Sequence, residues 1–363
     1  MNFKHLERPL PIAEQVWPSG TKPLISICCI TYNHERYITK AIEGFLLQET
    51  TFPVEILIHD DASADATASI IQDYVDKSPS LFTAILQNEN QYSLGNKPFP
   101  ALTLLAKGEF IAVCEGDDFW THAGKLQRQY ELLLEYPEAV MAAHDVEAVY
   151  EQNVSADESD QPNQDSIPGL EYFSGEQIIA GKHISPVSTV FRNVKIYNWG
   201  KRWRWLVNED RYFNSMLATR GGVIVEHKKM AAHIYHDGGV WSSADERTRR
   251  RNMIEVRVAV ILEIEPAFCP IACLSLSKTS WIDIWNILRT EKGVDSMVCM
   301  RAYFMGLFCC FRTIQAGIHH IPRVLWTQIL ILVFPFKVVG VFLARGLMRK
   351  LGIKGECDQR ASV

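Results

Sequence analysis

Three short polar runs interrupt the apolar first third of the chain, and each is rich in groups that can hold a cation or move a proton. They are Thr31-Tyr32-Asn33-His34, Asp60-Asp61-Ala62-Ser63 and Glu115-Gly116-Asp117-Asp118. Each closes a run of aliphatic and β-branched residues: Leu24 to Thr31, Val54 to Asp60 and Phe110 to Cys114. Three carboxylates in four consecutive residues repel one another unless a cation or a donor-rich ligand lies among them. A divalent metal is the economical resolution, because Mg²⁺ or Mn²⁺ takes oxygen ligands and keeps positions open for phosphate oxygens. The chemistry indicated is that of a nucleoside diphosphate held through a metal. For Asp60-Asp61 taken alone, a turn or helix-capping role is an equal reading. Other nucleotide signatures are missing: no G-x-G-x-x-G follows the first run and no G-x-x-x-x-G-K-[ST] occurs. His34-Glu35 has no second His four residues on, so it is not a zinc-protease motif.

These runs need elements to position them. After the first run residues 35–48 are amphipathic, and after the second a helix follows that Ser63 or Asp65 can cap. A third apolar run at 81–87, a helical stretch at 99–107 and the fourth run at 110–114 continue the alternation. Strands separated by helix-length segments predict an α/β fold with a mostly parallel sheet flanked by helices. In such a sheet, ligands bind beyond the carboxyl ends of the strands, where the three polar runs fall. The polar stretch 152–168 reads as a loop; beyond it come a capping-box pattern Ser174-x-x-Gln177, a strand at 187–191 and a helix from Glu209. The expected domains are an extension (1–22), the α/β domain (23–245, with halves 23–150 and 170–245) and a C-terminal helical, partly apolar appendage (246–363).

Composition bounds the rest. With 363 residues, 47% hydrophobic and 22% charged, the chain is globular, and a net charge of −5 gives no basic field for nucleic acid. Most of the nine cysteines sit in apolar runs, which predicts reduced, buried thiols and a cytoplasmic protein. The opening residues MNFKHLERPLPIAEQ lack an apolar signal-peptide core, which adds to that expectation. Residues 318–354 hold six Lys or Arg and no Asp or Glu. Their longest uncharged apolar run, Val324 to Phe336, reaches about 20 Å as a helix, short of a hydrocarbon core of about 30 Å. A segment lying on the cytosolic face of a membrane is expected there, with a helix pair packed on the catalytic domain as the competing reading.

The runs ISICCITYNHERYITKAIEGFLLQ, VEILIHDDASADAT and FIAVCEGDDFWTHAGKLQRQ together resemble the nucleotide-sugar half of the family 2 glycosyltransferases, which have the Rossmann-like GT-A fold. The resemblance implies that Thr31, Tyr32, Asn33, Glu35 and Asp60 or Asp61 hold base and ribose. It puts the ribose contact also on Asp117 and the metal on Asp118, with Gly116 where the family carries an acidic residue and Glu115 one step earlier. Family members carry an acidic pair about 90 residues further on; here Glu209-Asp210 stands 92 positions after Asp118, which makes Asp210 the candidate general base and Glu209 an acceptor-side residue. The segment HIYHDGGVWSS resembles the part that closes over the diphosphate, with His236 a metal or phosphate ligand, Trp241 in the lid and Ile234 in place of the family's Arg. Trp203, with Trp199 and Trp205, either stacks on acceptor sugars or fills the core.

The activity implied is metal-dependent (Mn²⁺ or Mg²⁺), inverting transfer from a nucleoside-diphosphate sugar, UDP being the commonest family case. The acceptor implied is a glycan or lipid-linked hydroxyl in surface polysaccharide or glycolipid synthesis. A sugar-nucleotide nucleotidyltransferase is the nearest alternative, but Thr31-Tyr32-Asn33-His34 is not its Gly-rich basic loop. A non-catalytic assembly subunit is the other, and Asp117, Asp118 and Asp210 argue against it.

Overall fold

The computed structural model describes residues 5–151, 169–194, 203–239, 243–268 and 271–272. The C-terminal segment 318–354 and Trp199 and Trp241 lie outside the described residues. In chain order the elements are β1 (Leu10–Pro11), β2 (Ile25–Thr31), α1 (Ile38–Leu46), β3 (Glu49–Thr50), β4 (Val54–Asp60), α2 (Thr67–Lys77), β5 (Phe82–Leu86), α3 (Pro98–Leu105), β6 (Phe110–Val113), β7 (Phe119–Trp120) and α4 (Lys125–Glu135). They continue with β8 (Ala139–Tyr150), β9 (Leu170–Phe173), α5 (Gly175–Ile179), β10 (Val190–Arg192), α6 (Glu209–Leu217), β11 (Gly222–Tyr235) and α7 (Glu246–Glu263).

One sheet carries the site. Its order is β5-β4-β2-β6-β10-β8-β11-β7, with β9 on the far side of β11. The strands from β5 to β6 are all parallel, as the alternation predicts, and β2 and β4 run in register from Ile25↔Val54 to Thr31↔Asp60. Their interior is apolar on both faces, with Ile25, Ile27, Ile56 and Ile58 wholly buried. Because Thr31 and Asp60 pair at the last rung, the first two polar runs start at the same edge.

The second half of the sheet is mixed. β10 is antiparallel to both β6 and β8, β8 and β11 are parallel, and β7 is antiparallel to β11. β11 slips in register at Glu226/Lys229, where the charged run EHKK interrupts its apolar pattern. The predicted strand at 187–191 divides into a 3₁₀ turn at Pro186–Ser188 and β10, while the Ser174 capping box on α5 forms as expected. Asp65, not Ser63, bonds the N–H of Thr67 at the start of α2.

One compact unit runs to Phe268 and includes α7. Tyr212 of α6 donates to Glu263 at 2.6 Å, and Ile254, Val256, Ala259 and Val260 are buried. Cys28, Cys29 and Cys114 are free and buried, and burial pushes their thiols up, so they are inert core residues.

Lys125 is a wholly buried amine in this core. Its Nζ donates to Gln129 at 2.8 Å and lies 4.2 Å from the centre of a Trp120 ring; Gln129 in turn donates to the carbonyls of Ala142 and Ser188. The network ties α4 to β8 and the 186–188 turn. Burial pulls the Lys125 ammonium down to about 7, against 10.5 when unfolded. A base with a lowered folded pKa binds fewer protons than the unfolded chain between those values, so it penalises stability below about pH 7 and releases the penalty as pH rises to about 10.5. The full interval is worth about 5 kcal/mol. Urea unfolding at pH 7 and pH 10 should therefore show wild type gaining several kcal/mol relative to Lys125→Met. Parallel pH dependence of the two proteins would show that Lys125 is charged in the fold.

Candidate active site

The first two loops are stitched to each other. Asn33, in the left-handed region at φ +57°, donates its N–H to Ser63 Oγ at 2.8 Å and accepts the N–H of Ala64 at 2.8 Å. Glu35 accepts the N–H of Ala66 and donates its own N–H to Asp65, and the N–H of His34 reaches Thr67 Oγ1. Ala62, at φ +63°, carries strain that turns the chain between Asp61 and Ser63. Asp60 is buried and accepts the N–H and hydroxyl of Ser63; Asp61 is buried and accepts the N–H groups of Gln91 and Tyr92 at 2.7 and 3.0 Å. The acidic pair thus holds the loops at this edge of the sheet. Tyr32, 46% exposed, is the first-loop side chain left open to a ligand, whereas Thr31 is buried against the third loop.

That contact explains Gly116. A Cβ there would stand 2.7 Å from Thr31 Oγ1 and 3.0 Å from His34 Nδ1, so the close approach of the loops leaves no room for an acidic side chain at this position. Glu115 carries the carboxylate one residue earlier, at the surface. The surrounding protein, then Asp117 and Asp118, hold its carboxyl well above the usual range although the side chain reaches solvent.

Asp117 and Asp118 face different partners. Asp117 Oδ2 lies 3.0 Å from His236 Nε2 and 3.7 Å from His34 Nε2, while Oδ1 is buried with no hydrogen-bond partner among the described residues. Burial raises this carboxyl, but the His236 bond and the nearby histidine charges outweigh it and hold it below its ordinary value. Asp118, buried, receives His233 Nδ1 at 2.8 Å and the N–H of Ile234 at 3.0 Å. Burial lowers the His233 imidazole, but Asp118 in first place, with Asp117 and Glu115, lifts it to about 9. The position of the missing Arg, Ile234, therefore contributes its backbone, and the neighbouring His233 supplies a cation. His236 meets Asp117 in the structure, where the resemblance paired it with the metal of Asp118.

Among the described residues, two groups of side chains offer ligand atoms within 4.8 Å of one another: His34, Asp117 and His236, and Glu115, Asp117 and Asp118. The orphaned Asp117 Oδ1 and the mixed nitrogen and oxygen donors fit a divalent ion of the Mn²⁺ type. The roles of His233 and His34 are not evident in the motifs; β11, paired with β7, brings His233 to the acidic loop.

Glu209 and Asp210 open α6 as predicted, half-buried. Burial lifts the Asp210 carboxyl above its usual range, with Arg211 opposing, and Asp210 is close enough to raise Glu115. Glu209 is pushed up to about 7 by burial, opposed by Lys97, whose Nζ lies 3.6 Å away. Trp203 is buried and belongs to the core; Trp205 is 76% exposed.

A polar edge where a parallel half-sheet meets a mixed one is the arrangement of the GT-A fold. Residues 26–156 match the model of glycosyl transferase family 2. An uncharacterized protein of Mycobacterium tuberculosis is 35% identical over 236 residues, 64% of this chain and 64% of that relative. An uncharacterized glycosyltransferase of Nostoc is 36% identical over 109 residues, 30% of this chain and 32% of the other. The chain thus spans about two thirds or less of the length of these relatives. Among solved structures, residues 1–349 of TarS from S. aureus, crystallised with UDP, share the fold at a TM-score of 0.56 and 17% identity, over 84% of this chain and 86% of that one. Among the described residues no helix is long and apolar enough to cross a membrane.

Proposed function

We propose that the chain transfers a sugar from a nucleoside-diphosphate sugar to an acceptor hydroxyl with inversion at the anomeric carbon. The observation that carries it is the meeting, at one sheet edge, of the Asp117-Asp118 loop, three histidines and the carboxylate that opens α6. The base rests against Tyr32 and the loops built by Asp60 and Asp61, with Asn33 and Glu35 holding those loops in place. A divalent ion would be held by Asp117, either with His34 and His236 or with Glu115 and Asp118, and would offset the charge of the leaving diphosphate. The His233 cation adds to that field.

Asp210 accepts the proton of the acceptor hydroxyl as its oxygen bonds the anomeric carbon; the bond to the diphosphate breaks, and the nucleoside diphosphate leaves with the electron pair. One base on the acceptor side supports a single in-line displacement. Trp205 offers its exposed face to an acceptor sugar. UDP is the base of choice on the family resemblance and the UDP complex of TarS, and Mn²⁺ is favoured over Mg²⁺ by the histidine donors. The setting proposed is surface-glycan synthesis at the cytosolic face of a membrane, supported by the basic, acid-free stretch 318–354.

Thermal-shift measurements with UDP-, GDP- and dTDP-sugars test this reading, since a ligand that binds the folded state alone raises Tm. One nucleotide class should raise Tm in Mn²⁺ but not in EDTA, and that nucleotide sugar should be slowly hydrolysed. Metal-independent binding without hydrolysis would point to an assembly subunit.

A further inference from the structure

Lys97, at the N-terminus of α3, is a buried cation that touches both halves of the site. Its Nζ donates to the carbonyl of Leu206 at 2.7 Å, three residues before α6, and faces the Glu209 carboxylate at 3.6 Å. It also lies 3.8 Å from the centre of the Tyr92 ring. Tyr92 belongs to the loop 87–97, which the second acidic run holds directly: Gln87 N–H donates to the Asp60 carbonyl, Asn90 Nδ2 to the Asp61 carbonyl, and Gln91 and Tyr92 N–H to the Asp61 carboxylate. The loop meets the acceptor side a second time at Gly95, φ +79°, where a Cβ would contact the Trp205 ring at 3.5 Å.

Burying an ammonium costs more than burying a thioether of the same length, so stability alone would favour Met at this position. What a cation adds is a link of fixed geometry between a ring in the 87–97 loop and a carbonyl and a carboxylate at the start of α6. We propose that Lys97 is a positioning residue that couples the donor edge to the base. Through Tyr92 and Asp61 it senses the nucleotide side; through Leu206 and Glu209 it fixes the start of α6 and with it Asp210. Nucleotide binding that orders the 87–97 loop thereby orders α6. This inference rests on Asp210 as base and on the Asp60-Asp61 edge as part of the donor site.

Hydrogen exchange with UDP and Mn²⁺ as the probe tests it without an acceptor. In wild type, UDP should slow exchange in both 87–97 and 206–217. In Lys97→Met it should slow 87–97 alone, with 206–217 returning to within about twofold of its unliganded rate and UDP affinity unchanged. A merely structural role would loosen both segments equally, with or without nucleotide. Glu209→Gln, which keeps the shape and removes the charge, should also uncouple the segments and serves if the Met variant does not fold. Protection of 206–217 retained in a folded variant, or absent in wild type that binds UDP, overturns the coupling alone. Failure of wild type to bind any nucleotide overturns the donor-site reading and the coupling with it.

Discussion

Asp118→Ala is expected to abolish Mn²⁺-dependent nucleotide binding, a loss of at least about a hundredfold in affinity, since changing partners outside the ligand set already costs 10- to 100-fold. Two effects combine. The variant removes a carboxylate from the Glu115, Asp117 and Asp118 group, and it leaves the His233 cation and the Ile234 N–H without their common acceptor. Asp118→Asn separates them, because the amide oxygen still accepts from Ile234 while the anionic ligand is lost. Isothermal titration of UDP with and without Mn²⁺ decides the assignment. If Asp118→Asn keeps full metal dependence and Asp117→Asn or His236→Ala loses it, the ligands are Asp117, His236 and His34, and Asp118 serves to hold β11 against the acidic loop. Unchanged metal dependence in all three would place the ion elsewhere.

The donor half was legible because its strands are buried on both faces and short, so the apolar runs at 24–31, 54–60 and 110–114 stand out and the polar runs after them mark the ligand edge. The acidic pair opening α6 was legible for a similar reason, as charge before an amphipathic helix. The long strands β8 and β11 were not. β8 carries His144, Asp145 and Glu147, and β11 carries EHKK at its register shift, so neither shows clean alternation. His233 opens the segment HIYHDGGVWSS, but its place beside Asp118 follows from the pairing of β11 with β7 and was not read from the sequence. Lys97 was invisible for another reason: a lysine before a proline reads as surface, and its burial follows from Tyr92 of its own loop and from Leu206 and Glu209 at the start of α6 converging on it. Gly116 read as a departure from the acidic motif, and only the contact with Thr31 explains it.

Asp210→Asn should keep donor affinity and lose turnover by about a hundredfold to ten-thousandfold, the range for removing an acid–base group. Hydrolysis of the donor sugar, with water in place of the acceptor, reads it. The competing account is that Asp210 merely favours the N-terminus of α6, as negative charge in a first turn does, and stability separates the two. Burial lifts the Asp210 carboxyl above its ordinary value. A carboxyl raised in the fold binds more protons than the unfolded chain, so its ionisation costs stability increasingly as pH climbs from the ordinary carboxylate range through the raised value. At neutral pH the Asn variant should therefore be as stable as wild type or more so. A helix-terminus role predicts the reverse, a loss of about 0.3 to 1 kcal/mol. The pH profile follows with the same sign: the base must be ionised, so wild-type turnover falls as pH drops through a value above the usual carboxylate range, and the residual turnover of Asp210→Asn lacks that limb. Wild-type turnover in the Asn variant, or a variant that is less stable with an unchanged acid limb, would remove Asp210 from the mechanism.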